Sequence, residues 1–347
     1  MAAAAVAGGG DRGRAVMRGG QSLGAVFGRG QSNNLHLMRL VLAAAVIVSH
    51  AWPLAQGAGV AEPLKALTGH SLGGWAVVGF FFLSGLLIAP SAERSTAARF
   101  WQARARRIAP GLGVALLVTL GLAALSGADL TSWAAASYWL RGITLVSLEH
   151  HLPGAFADAA MPGVVNGPLW SLFHEVAAYA LCFLAVRLGL LRHWMGCAVL
   201  CLVAVALWAM PGLPHRLMTF APLFLAFAFG MLAYAGRDRL PLSPVLTLGL
   251  CALAHLGWPF AVAALGHGLL VLAFRLRLPP LRADVSFGLY IYGWPVAQHL
   301  AHYVPGLSAP ALAVLSLIAT LPFAVLSWYL VERPALLPRQ SPARVGV

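Results

Sequence analysis

The 347-residue chain is 60% hydrophobic and only 10% charged, with a mean hydropathy of +0.80. Soluble globular domains carry about 25% charged residues, so a soluble fold is excluded and an all-α integral membrane protein is indicated. The net charge of +13 does not make a nucleic-acid partner, because the cations punctuate apolar runs instead of forming one patch.

Residues 1–34 are basic and Ala/Gly-rich, without an apolar core long enough for a signal peptide, and read as a disordered tail. Runs of about 17 to 25 apolar residues then predict ten transmembrane helices. They lie near 35–53, 71–89, 111–127, 168–187, 194–210, 217–236, 242–257, 259–274, 285–303 and 311–331. Residues 35–335 therefore form one multi-span membrane domain, and 336–347 a cytoplasmic C-terminal tail. With both termini inside, 19 of the 23 Lys and Arg residues fall on the cytoplasmic side. Lys65, Arg141 and Arg216 fall on the other side, and Arg39 lies in the membrane. The positive-inside rule thus gives an N-in, C-in chain. Attraction of these cations to anionic lipid is secondary. Arginine outnumbers lysine 22 to 1, which fits a GC-rich bacterial source and a multi-pass protein of the bacterial inner membrane.

The first span, LHLMRLVLAAAVIVSHAW, contains Arg39 and His50. An arginine at the centre of a span costs roughly +2.5 to +3.5 kcal/mol by insertion scales. Eleven residues make close to three turns, so both side chains leave the helix on one face, about 16 Å apart along the axis. A fixed cation near the cytoplasmic edge and a titratable imidazole deeper in the span resemble an anion anchor and a proton acceptor.

The second span, GWAVVGFFFLSGLLIAP, carries Gly79 and Gly85 for close helix packing. Its Ser84 lacks the strand–turn–helix setting of a nucleophile elbow and is not read as one. The loop ERSTAARFWQARARRIAP holds five arginines, most of them topogenic. Arg104 and Arg107, one helical turn apart, share a face and are suited to phosphates, such as those of coenzyme A. The stretch 128–167 is expected outside the cytoplasm. It clusters Trp133, Tyr138 and Trp139 and includes Glu149, His150, His151 and Asp158, a place for acceptor recognition.

In NGPLWSLFHEVAAY, Pro168 suits a first helical turn, and Glu175 falls two turns into the fourth span, where a carboxylate requires a partner or a proton. His174 points about 100° away from it. Tyr290, Tyr292 and His299 are expected to anchor at the interface, and Glu332 to pair locally beside Arg333. Cys182, Cys197, Cys201 and Cys251 lie within predicted spans and are read as packing residues, without a disulfide or a metal set.

In order and topology these elements resemble the acyltransferase-3 family of integral-membrane O-acyltransferases, which modify cell-envelope glycans. The resemblance covers roughly 33–335. It rests on an Arg and a His with ten residues between them (Arg39, His50), FFFLSG at 80–85, Arg-x-x-Arg (Arg104, Arg107), GPLWSL-x-x-E ending on Glu175, SFGLYIYGWPVAQ at 286–298 and VERP at 331–334. It implies acetyl-CoA or another acyl-CoA as donor, bound from the cytoplasm, with no metal. The acceptor it implies is a sugar or glycan hydroxyl on the far side. His50 would then be the catalytic histidine, with Arg39 its partner in the donor channel. Arg104 and Arg107 would contact the CoA phosphates, and Glu175 would match the family's acidic position. Two departures stand out: no acid closely follows His50, the next being Glu62, and Gly293-Trp294 stands where many members have a histidine.

The expectation is therefore a membrane-embedded O-acyltransferase. The alternative is a proton-coupled secondary transporter or flippase of a glycan-linked or anionic substrate, with Arg39, His50 and Glu175 as its path; the lack of internal repeats counts against it.

Overall fold

The computed structural model describes residues 21–27, 34–131, 133–145, 150–276, 278–279, 281 and 283–337. Most of the expected tails, and Glu149, lie outside them. Among the described residues the fold is all-helical, with two isolated β-bridges and no strand.

Within the stretch expected to be a disordered tail, the described part is a docked segment. The short helix α1 (Leu23–Val26) buries Leu23 and Val26, and the Leu23 and Gly24 amides donate to the Leu240 and Arg237 carbonyls at 2.8 and 2.7 Å. Two apolar side chains and unpaired backbone groups on 237–242 give the segment a reason to stay.

The helices follow as α2 (Leu35–Gln56), α3 (Pro63–Thr68), α4 (Leu72–Arg94), α5 (Ala97–Leu125), α6 (Trp133–Thr144), α7 (Trp170–Arg187), α8 (Trp194–Ala209), α9 (His215–Ala235), α10 (Pro244–Leu253), α11 (Trp258–Arg275), α12 (Ser286–Tyr303) and α13 (Ala309–Ser327). A single π turn, Trp328–Glu332, leads into α14 (Arg333–Leu336). Ser71, Thr96 and Ser308 cap α4, α5 and α13 by accepting backbone N–H bonds, as N-cap hydroxyls do.

Among the described residues, seven helical segments are long and apolar enough to cross a membrane: α2, α4, α5, Gly167–Arg187, α9, α11 and Ala309–Leu336. The other three predicted spans are also helical. Trp194–Ala209 and Pro244–Leu256 are shorter, and α12 is more polar. That polarity has a structural reason: every residue from Ser286 to Gln298 is buried, and α12 packs against α2, α5 and α13. Tyr290 and Tyr292, expected as interface anchors, are therefore core residues; a span enclosed by other helices need not present an apolar face to lipid.

Helices α4 and α9 cross in close contact. A Cβ on Gly85 would sit 2.0 Å from the Phe227 carbonyl oxygen, and one on Gly230 would sit 2.1 Å from that of Phe82. Reciprocal glycines let the two backbones touch, the small-residue packing expected where no hydrophobic effect drives helices together. Cys182, Cys197 and Cys201 are buried as packing residues, whereas Cys251 is exposed on α10, which buries none of its residues.

Candidate active site

Helix α2 runs past three cavities. One end carries Arg39 into a 370 Å³ cavity lined also by Arg104, Arg106, Arg107, Ser84, Glu175 and Tyr179. The other end carries His50 into two further cavities, of 260 and 640 Å³. Val77 and Tyr290 line both the first cavity and the 260 Å³ cavity, and His50 and Trp170 line both cavities at the far end. The three are neighbours that share walls, with arginines at one end and His50 at the other.

At the arginine end the cations are held by acids from distant parts of the chain. Asp284 Oδ2 accepts from Arg39 Nη1 and from Arg107 Nη2, each at 2.7 Å, and lies 3.5 Å from His36 Nδ1. Its other oxygen accepts from Ser286 Oγ at 2.5 Å. Arg107 reaches on to Glu332 Oε2 at 3.2 Å. Burial pushes the Asp284 carboxyl up, yet Arg39, His36, Arg107 and Ser286 together hold it well below the usual carboxylate range, as cations and donors around an anion do.

Glu332, expected to pair locally, is buried and bonds Ser327 Oγ at 2.9 Å as well as Arg107. The wide π turn that carries it inward is a feature often found at functional sites.

Arg104 and Arg107 do share one chamber, as their spacing predicted, but their settings differ. Arg107 is committed to two carboxylates. Arg104 lies over the Phe100 and Tyr179 rings at 5.7 and 5.9 Å, and its buried Nε has no hydrogen-bond partner among the described residues. Glu175 Oε1 accepts from the Tyr179 hydroxyl and from Ser84 Oγ, the latter at 3.2 Å, so the intramembrane carboxylate has the partners its position requires. His174 faces elsewhere: Nδ1 lies 3.0 Å from the Trp170 carbonyl oxygen, and Nε2 3.0 Å from Thr219 Oγ1.

At the histidine end, the His50 ring meets Trp294 edge-on at 4.9 Å. Trp294 comes from the departure Gly293-Trp294, and Gly293 leaves the room its neighbour Ile47 occupies, since a Cβ there would lie 2.6 Å from Ile47. Glu62, distant in sequence terms, lines the 260 Å³ cavity with His50 and Lys65; it is buried and accepts the Leu72 amide. Between the two ends, the Tyr290 hydroxyl donates to the Pro168 carbonyl at 2.8 Å and lies 2.6 Å from Ser171 Oγ.

Sequence reasoning missed Asp284, and nothing in its local spacing marks it. The available signal was scarcity: it is one of only ten acids in the chain and stands alone between Asp238 and Glu332.

A bundle of membrane-length helices around polar cavities lined by a partly buried histidine and partly buried arginines defines a multi-pass membrane protein with an internal polar site. The chain belongs to the acyltransferase-3 family, described as an acyltransferase domain, which it matches over residues 32–329. It is therefore an acyltransferase. It is similar to an O-acetyl transferase of Shigella phage Sf6, 30% identical over 345 residues, covering 90% of this chain and 98% of that protein. It is also similar to nodulation protein 10 of Rhizobium leguminosarum bv. viciae, 28% identical over 366 residues, covering 90% of this chain and 95% of that protein. No solved structure matches the chain. Family membership decides between the two expectations in favour of the enzyme over the transporter.

Proposed function

We propose that the protein moves an acetyl group from acetyl-CoA, entering at the arginine end from the cytoplasm, to a sugar hydroxyl presented at the histidine end outside it. One observation carries this reading: α2 places Arg39 and His50 in neighbouring cavities that share Val77 and Tyr290 as a wall. The setting is the bacterial inner membrane, with the chain N-in and C-in.

In this reading Arg104, with Arg106 at the mouth, takes the anionic end of the donor. Guanidinium groups grip phosphates strongly, and the low dielectric of the bundle strengthens the contact. Arg39 and Arg107, fixed by Asp284 and Glu332, hold the adjoining wall with the cations compensated. Glu175 is held in place by Ser84 and Tyr179 along the donor path, where its remaining oxygen accepts hydrogen bonds from the donor's amide arm. The thioester passes Tyr290 to reach His50.

His50 acts as general base. It takes the proton of the acceptor hydroxyl as the oxygen attacks the thioester carbon; the carbon–sulfur bond then breaks, and the leaving thiolate recovers the proton from the imidazolium as free CoA thiol. A positioned base of this kind contributes about 10²–10⁴-fold.

The test is alkali-labile acetyl on envelope glycans, read by NMR in a deletion strain complemented with wild type or with His50→Ala. Acetyl restored by wild type alone is the expected result. Equal acetylation by the His50→Ala protein overturns the mechanism.

A further inference from the structure

Among the described residues, Val77 and Tyr290 line both the donor cavity and the 260 Å³ cavity that holds His50. We infer that this pair selects the acyl group by length, passing acetyl and excluding medium-length chains such as hexanoyl. The inference rests on the reading that the donor enters at the arginine end and reacts at His50. It adds what that reading leaves open, the residues that choose the acyl group.

Tyr290 is a fixed part of this wall. Its one hydroxyl proton goes to the Pro168 carbonyl at 2.8 Å, so Ser171 Oγ, 2.6 Å away, donates to the phenol oxygen. Ser171 lines the donor cavity and Pro168 the His50 cavity, so the two bonds clamp the phenol at the boundary between them. The Phe80 ring meets the Tyr290 ring edge-on, with centroids 5.9 Å apart. Both wall residues are buried.

Val77 comes from α4, and a helical valine keeps one strongly preferred rotamer. On both sides of it in sequence, α4 presses against α2. A Cβ on Gly73 would lie 2.9 Å from Ser49 Oγ, and one on Gly79 would lie 2.9 Å from a Leu42 methyl. Small residues let helices pack this closely, which leaves little slack for Val77 to move aside. The space beyond is small as well. The His50 cavity, at 260 Å³, falls below the roughly 300–1,000 Å³ usual for small-ligand sites. A longer acyl tail would have to share that space with the acceptor hydroxyl, or displace Val77 or Tyr290. Forcing extra methylenes into packed space is unfavourable.

The test is binding of CoA, acetyl-CoA, butyryl-CoA and hexanoyl-CoA to the purified full-length protein, titrated by thermal stability, since a ligand stabilises the state that binds it. Wild type is expected to bind hexanoyl-CoA about tenfold or more weakly than acetyl-CoA, the scale on which misfitting methylenes are rejected. Val77→Ala, which removes two methyl groups from the wall, should shrink that ratio below about threefold. Val77→Leu should extend the discrimination to butyryl-CoA, and Tyr290→Phe, which releases the clamp, should weaken it. Detergent micelles take up the longer chains alike for every variant, so the change between variants carries the result. Hexanoyl-CoA bound by wild type as tightly as acetyl-CoA overturns the inference and leaves the donor reading standing. A ratio that neither Val77 variant moves overturns it too. No stabilisation by any of the four, CoA included, removes the donor reading and this inference with it. If Val77→Ala does not fold, Val77→Leu and Tyr290→Phe decide.

Discussion

The two ends of α2 solve the problem of a polar group in a membrane span in opposite ways. Arg39 is neutralised at once by a carboxylate, and the acid that does so also serves Arg107. His50 has an aromatic edge beside it and open cavities on two sides. A buried charge deprived of its partner is strongly destabilising, so the arginine end is built for permanence. An imidazole can be neutral, so the histidine end remains free to exchange a proton. Paired charge concentrates at one end, and an imidazole beside open cavities stands at the other.

The most severe way to break the comparison removes the frame shared by both ends. Gly85→Val drives a side chain into the Phe227 carbonyl, so α4 and α9 must part; loss of the monodisperse folded peak in detergent is expected on fluorescence size-exclusion chromatography.

Next in size is His50→Gln. It should lower acetyl transfer about 10²–10⁴-fold while the melting temperature moves by no more than a degree or two, which would separate chemistry from structure at that end.

Asp284→Ala should do the reverse. It leaves Arg39 uncompensated and Arg107 with Glu332 alone, and is expected to cost about 3–5 kcal/mol of stability, measured as a lowered melting temperature. Because the folded carboxyl is held below its ordinary range, its contribution is present above the unfolded carboxylate value of about 3.9. It is lost as the pH falls from there through the lower folded value. Wild type should therefore lose stability below about pH 4, and Asp284→Asn should flatten that part of the curve.

The smallest effect belongs to Arg106→Ala. Arg106 is exposed on the chamber rim, where charge contacts are screened, so KM for acetyl-CoA should rise roughly threefold with kcat unchanged.

The same contrast decides what was legible in the sequence. The apolar runs gave the helices, because length and hydropathy are local properties. Arg39, His50 and Glu175 stood out, because an ionisable residue in a span is costly wherever it is read. Asp284 and Glu332 did not, since their partners lie 245 and 225 residues away and no spacing records such a contact. Helix α12 was placed correctly but misjudged as an interface element. Its tyrosines and Trp294 look amphipathic, and only the surrounding α2, α5 and α13 make them core.

The division between a donor-holding end and a reacting end is most directly tested by the thermal stability of the purified protein with and without acetyl-CoA, for wild type, Arg104→Ala and His50→Ala. A ligand stabilises the state that binds it. Acetyl-CoA is expected to raise the melting temperature of wild type and His50→Ala equally and to leave Arg104→Ala unmoved. Stabilisation lost in His50→Ala but kept in Arg104→Ala would contradict the account.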